Sequence, residues 1–261
     1  MTLFKTKNKH SYYKLIDEQF RLRSKGYENS ARWIKDKGLL LLYKELFKPK
    51  NSSPISILDL CCGTGIVGEQ FLSENSSIFG LDISWPMLKL ARRRLDFCIH
   101  GQAERLPFQD ETFDLVVCRQ ASHFLDMEKL ACEVFRVCKS KHGKAIIGQI
   151  VPFGRLDKHW LYKIHACKQP LLRNFLTEED MVGVLKKASF VSLRRRYYYI
   201  EESINEWLRF APELSFKKVA QIRNLFYQAP RYYKKIHNVR FEGDDIKDTM
   251  KWVVIAVRKG S

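Results

Sequence analysis

Three glycines, Gly63, Gly65 and Gly68, follow the apolar, β-branched run Ile55–Leu60 at the spacing GxGxxG. A turn without Cβ atoms can run close to a ligand, and the first N–H groups of a helix beyond it are free to receive a polar group. Two ligands suit such a turn: the pyrophosphate of a dinucleotide, or the amino-acid end of another nucleoside cofactor. Asp59 separates them, because a carboxylate on the approach to the turn repels pyrophosphate and welcomes a cationic ligand. Asp82 stands downstream where an acid could accept from ribose hydroxyls. His123 is the candidate general base, since a neutral imidazole can take a proton from a hydroxyl or amine acceptor; the competing reading is a packing or capping residue. His159, His165 and His237 read as structural. No His or Cys pair has the spacing of a zinc site, so no metal is expected.

The elements that must position these residues follow from apolar periodicity. Tyr12, Leu15, Ile16, Phe20 and later Trp33, Ile34, Leu41, Leu42 and Leu46 recur at helical steps, with Pro49 as the stop. Strands are predicted at Ile55–Leu60, Ser77–Asp82, Phe97–Gly101, Phe113–Arg119, Lys144–Val151, Phe190–Ile200 and Thr249–Val257. Helices are predicted from the glycine turn to Ser73, over Pro86–Leu95 and Met127–Cys138, and over Thr177–Ala188 with Thr177 as N-cap. The alternation implies an α/β fold, a Rossmann-like seven-stranded, mostly parallel sheet with helices on both faces. Residues 1–261 read as a single domain: N-terminal helices over 1–50, a cofactor-binding core over 51–150, and the rest of the sheet with an acceptor lid over 151–261. The lid is expected from 152–175 and 201–240, which carry Trp160, Trp207, Phe210, Phe226 and Tyr233.

The chain of 261 residues has 46 Lys and Arg against 29 Asp and Glu, a formal charge of +17. With 45% hydrophobic and 29% charged residues it is of globular composition, which excludes disordered, collagen-like and disulfide-scaffold classes. No apolar run reaches the length of a bilayer span, and no secretory signal is visible at the start. Seven scattered cysteines suit a reducing, cytoplasmic setting. The charge is uneven: residues 1–50 hold 13 basic and 5 acidic side chains, 51–150 hold 11 and 12, and 151–261 hold 22 and 12. The basic flanks could attract a polyanion, or could be an ordinary solvated surface.

With Asp59 included, DLCCGTG resembles the first motif of class I S-adenosylmethionine-dependent methyltransferases. GLDIS around Asp82 resembles the second, GQAERLPFQDETFDLVV at 101–117 the third and fourth, and EVFRVCKSKHGKAIIG at 133–148 the helix and strand that follow. The best match is the branch of ubiquinone and menaquinone C-methylases. The resemblance implies S-adenosyl-L-methionine as cofactor and an antiparallel C-terminal strand. It places Asp59 and the Gly63 and Gly65 backbone at the methionine end, Asp82 on the ribose, and Ile83 and Met87 about the adenine, although Met87 reads equally well as core. Ala103 and Glu104 would line the adenine edge, and Arg119 and Gln120 would lie where this fold brings ligands. Tyr27 and Arg32 would close the site, the arginine facing the methionine carboxylate. The chain departs from the pattern at Cys61, where a glycine is usual, and at Gln102, where an acid is usual; an amide oxygen can still accept from the adenine amino group. The expected acceptor is small and planar or aromatic. The alternative is tRNA or rRNA, suggested by the charge and by Arg194–Arg196 followed by Tyr197–Tyr199, of which alternation in a strand would bury half. A third reading is a non-catalytic cofactor-binding partner subunit.

Overall fold

The computed structural model describes residues 9–48, 53–209 and 211–260. Pro49 and Phe210, the expected helix stop and one lid aromatic, lie outside them. The chain runs α1 (Lys9–Arg23), α2 (Lys37–Leu46), β1 (Ile55–Leu60), β2 (Ser76–Asp82), α3 (Trp85–Ala91), β3 (Phe97–His100), β4 (Leu115–Arg119), α4 (Met127–Val137) and β5 (Lys144–Val151). It continues through α5 (Arg155–Lys168), α6 (Glu178–Lys187), β6 (Phe190–Ser203), α7 (Ile204–Arg209), α8 (Phe216–Gln228), α9 (Arg231–Ile236), β7 (Arg240–Glu242) and β8 (Asp245–Lys259).

The sheet has the order β3-β2-β1-β4-β5-β8-β6, with β1 to β5 parallel and β8 antiparallel to β5 and β6. These are the seven expected strands; the short β7 adds an eighth as a hairpin with β8. Central strands are apolar on both faces because both are covered. Ile57, Leu115, Val117 and Ile146 turn to α1, α2 and α5, whereas Leu58, Leu60, Val116 and Ile147 turn to α4 and α6. The order reverses between β1 and β4, and such a switch point opens a crevice at the carboxyl ends of the strands.

Two expectations change for physical reasons. The segment after the glycine turn forms a 3-10 helix over Gly68–Phe71, not an α-helix. The Gly68 N–H donates to Asp59 Oδ2 at 2.8 Å, and the Thr64 carbonyl, its partner in an α-helix, accepts from Arg94 Nη1 at 3.1 Å. The second change is at the Arg/Tyr run. Arg194–Tyr197 and Tyr199 are exposed rather than half packed, because β6 is an edge strand whose register breaks between Val191 and Arg194. Thr177 caps α6 as expected, within a capping box with Asp180.

The C-terminal helices are tied to the sheet by a buried ionic cluster. His237, after α9, places Nε2 at 3.0 Å from Asp157 Oδ2 of α5 and Nδ1 at 3.3 Å from Asp248 Oδ1 of β8, while the Tyr233 ring stacks on the imidazole at 3.9 Å. Burial disfavours its charge, but the two carboxylates outweigh that and raise its pKa to about 9. Asp157 also accepts from the N–H groups of Phe153 and Gly154. A group with a raised folded pKa gives stability that is fully present below about pH 6.5 and is lost as pH rises through about 9. Denaturant titrations should therefore show the native protein weakening between pH 7 and 9.5 and a His237→Gln variant nearly level there. Asp157→Ala should lose about 3–5 kcal/mol at pH 7, as expected for a buried ion left alone; a loss under about 1 kcal/mol would contradict the clamp.

Candidate functional site

A cleft of about 680 Å³, its mouth included, opens at the carboxyl ends of β1 to β4. Cys61 and Gly63 come from the turn after β1, Asp82 and Ile83 from the end of β2, and Gly101, Gln102 and Ala103 from the end of β3. Arg119 ends β4, Gln120, Ala121, Phe124 and Leu125 follow it, and α1 lays Tyr12, Tyr13, Ile16 and Phe20 across the opening.

The turn is held by carboxylates through its backbone. Asp82 Oδ2 accepts from the Gly63 N–H at 2.8 Å and its Oδ1 from the Ser84 N–H at 2.9 Å, so each oxygen keeps a lone pair for a ligand. Burial pushes the Asp82 pKa up against those backbone donors. Asp59 is buried beneath the turn and does not line the cleft; burial outweighs the Gly68 N–H and Arg119 and lifts its pKa to about 7. Gly63 and Gly65 have φ of 54° and 81°, a region that favours glycine. Cys61 shares it at φ 55° with a side chain attached. Contact with the Cys118 thiol, reinforced by burial, raises the Cys61 pKa well above the ordinary thiol range, which keeps it protonated.

The arginines divide differently from expectation. Arg119 lines the cleft, with Nη1 donating to the Ile34 carbonyl at 3.1 Å and its guanidinium 5.1 Å from the Trp33 ring centre. Arg32 is exposed and donates to the Glu201 carbonyl at 3.1 Å, outside the cleft. Its 3-10 turn, Arg32–Ile34, is drawn to β6 by Glu202, which accepts from the N–H groups of Arg32 and Trp33. Tyr27 does line the cleft. Gln120 lines it too, with Oε1 accepting from the Ile150 N–H at 2.9 Å.

Met87, Gly65 and Glu104 stand behind the lining. Met87 is 1% exposed, which is the core reading. A Cβ on Gly65 would come within 2.9 Å of Leu95. The Glu104 carboxylate accepts from the Asp126 N–H and from Arg173, whose guanidinium lies 3.8 Å from the Tyr12 ring centre. His123 is 4% exposed and outside the lining; its Nδ1 lies 2.8 Å from Gln149 Nε2, and burial lowers its pKa to about 4. Among the described residues no group of three His, Cys, Asp or Glu could hold a metal ion.

The residues fit S-adenosylmethionine. Asp82 still has acceptor capacity, Ile83 and Ala103 offer apolar flanks beside it, and the glycine turn leaves backbone room. A methyltransferase-domain family profile matches residues 58–147. The demethylmenaquinone methyltransferase of Lactiplantibacillus plantarum is 31% identical over 53% of this chain and 71% of its own. The chain belongs to the class I S-adenosylmethionine-dependent methyltransferases, in the ubiquinone/menaquinone branch. A methyltransferase structure from Bacillus halodurans shares the fold at a TM-score of 0.74 and 19% identity, over 85% of this chain and 99% of that one. Phosphoethanolamine N-methyltransferase 2 of Haemonchus contortus, solved with S-adenosyl-L-methionine, matches at a TM-score of 0.59 and 19% identity, over 86% of this chain and 53% of that one.

In this methyltransferase the aromatic cover of the cleft is α1, and among the described residues no lining residue comes from 152–175 or 201–240. Those segments form α5 and α7 to α9, which bury Trp207, Phe226 and Tyr233 against the sheet and one another. Tyr12, Ile16 and Phe20, missed as site residues, recur every fourth position and so share one helix face, which was the available signal. Tyr12 fastens the helix: its hydroxyl lies 2.8 Å from both the Phe124 and the Leu171 carbonyl oxygens and donates to one of them at a time. Cys61 gives a direct test of the turn. Cys61→Gly should keep stability within about 1 kcal/mol, whereas Cys61→Val, β-branched at positive φ, should lose at least about 1–3 kcal/mol by denaturant titration. Equal stability of the two variants would contradict the left-handed geometry.

Proposed function

We propose that this methyltransferase acts on a small, planar, aromatic or partly apolar acceptor held under α1. The observation that carries the reading is the chamber beside Asp82, walled by Tyr12, Tyr13, Phe20 and Phe124 with Ile16 and Leu125. Flat apolar rings suit a planar guest better than a charged polymer. The likeness to demethylmenaquinone methyltransferase supports the same class of acceptor.

When bound, S-adenosylmethionine supplies a methyl group already made electrophilic by its sulfonium. The chain's task is then to orient and to exclude water. In our reading Asp82 binds the ribose hydroxyls, Ile83 and Ala103 flank the adenine, and Gln102 accepts from its amino group. The Gly63 and Gly65 backbone makes room for the methionine end. Arg119, rather than Arg32, is the cation available to the methionine carboxylate. Asp59 acts through the turn by holding Gly68. His123, buried and kept neutral, positions the loop after β4 instead of taking a proton from the acceptor.

Loss of a charge-assisted acceptor at the ribose should make Asp82→Ala bind S-adenosylhomocysteine tenfold or more weakly, measured by calorimetry. Unchanged affinity would remove Asp82 from the cofactor site. The exposed Arg194–Arg196 run keeps a tRNA or rRNA acceptor as the second reading. Labelled methyl should pass to hydroxylated or quinol-type aromatics and not to bulk tRNA; stoichiometric methylation of a defined tRNA would overturn the small-molecule reading.

A further inference from the structure

From Leu214 to Phe241 the chain carries seven Lys or Arg and no Asp or Glu. This stretch forms α8, α9 and the start of β7, away from the lining of the cleft. Phe216 opens α8 and is 95% exposed. Eleven residues later Tyr227 returns to nearly the same side of the helix, since eleven steps of about 100° close within roughly 20° of three turns. Tyr227 is exposed and stacks on the exposed Phe241 of β7, ring centres 4.8 Å apart at 11°. Lys234 joins them, with Nζ donating to the Tyr227 carbonyl at 2.8 Å and lying 5.7 Å from the Phe241 ring centre. Lys217 and Lys235 flank this line and are exposed. None of these three lysines has a carboxylate partner among the described residues.

We propose that the outer face of α8, α9 and β7 docks reversibly on an anionic lipid surface. A phenylalanine held in water beside two lysines gains by entering the headgroup and acyl boundary, and tyrosine suits the same depth. Lysines without carboxylate partners supply the attraction to acidic headgroups, and the acids that border the stretch, Glu213 and Glu242, are paired with Arg23 and Arg240. The stacked pair argues against RNA, because Tyr227 and Phe241 turn one ring face each toward the other instead of offering both to bases. No helix of the described residues is long and apolar enough to cross a membrane, so contact of this kind is peripheral. The inference does not depend on which acceptor the cleft takes.

The test is co-sedimentation of the full chain with phosphatidylcholine vesicles, with and without phosphatidylglycerol, at low and high salt. Binding is expected only to the anionic vesicles and should weaken as salt rises. Paired Lys234→Glu and Lys235→Glu substitutions should lower it by about tenfold or more, and Phe216→Ser by about fivefold or more. Both variants should bind S-adenosylhomocysteine as the native protein does, which separates loss of docking from loss of folding. Absence of vesicle binding, or binding that both variants retain, would overturn the proposal. So would a parallel titration in which bulk tRNA binds tightly through the same lysines while vesicles do not.

Discussion

Two buried carboxylates hold the loop on which the rest of this methyltransferase depends. Asp59 captures the Gly68 N–H from below, and Asp82 captures those of Gly63 and Ser84 from the side. Each bond is charge-assisted and lies in an interior where a carboxylate without donors would be costly. The consequence is a turn fixed before any ligand arrives. Its price is a local departure from regular structure, since Gly68, drawn to Asp59, no longer bonds within an α-helix. The Thr64 carbonyl freed in this way is taken up by Arg94, which also pairs with Glu28 and Glu69.

The opposite wall is anchored by packing and by polar contacts at both ends. α1 crosses the mouth of the cleft with its aromatic face inward, Tyr12 and Ile16 buried in the core, and its polar attachments among the described residues include the Tyr12 hydroxyl at one end and the Arg23–Glu213 ion pair at the other. Arg173 connects the Tyr12 ring to Glu104 and thence to the Asp126 N–H, so the loop after β3 and the covering helix share a partner. A rigid floor under a helix held by a few polar contacts is an arrangement that can exclude water and still admit a ligand.

The sheet and the floor of the site were legible in the sequence because local rules govern them. Ile55–Leu60 is a buried parallel strand by its apolar run, and Asp59, Gly63, Gly65 and Asp82 have fixed offsets from strand ends. What escaped were long-range choices. Arg32 and Arg119 are both arginines, and nothing local says that Glu202 draws the turn at Arg32 toward β6 and away from the cleft. The covering role fell to α1 rather than to the aromatic-rich segments after Pro152, because Trp207, Phe226 and Tyr233 turn into the core with α5, α8 and the sheet. The exposure of Arg194–Tyr197 likewise follows from the edge position of β6, which alternation along one strand does not encode.

The central claim, that a turn organised by Asp59 and Asp82 receives the cofactor, is open to a direct measurement. Amide hydrogen exchange can be followed residue by residue while S-adenosylhomocysteine is titrated. The account predicts that the Gly68 N–H is already slow in the free protein, and that added slowing gathers at residues 61–65, 82–84 and 101–104. Unchanged exchange there under saturating ligand, or slowing on another face of the molecule, would contradict it.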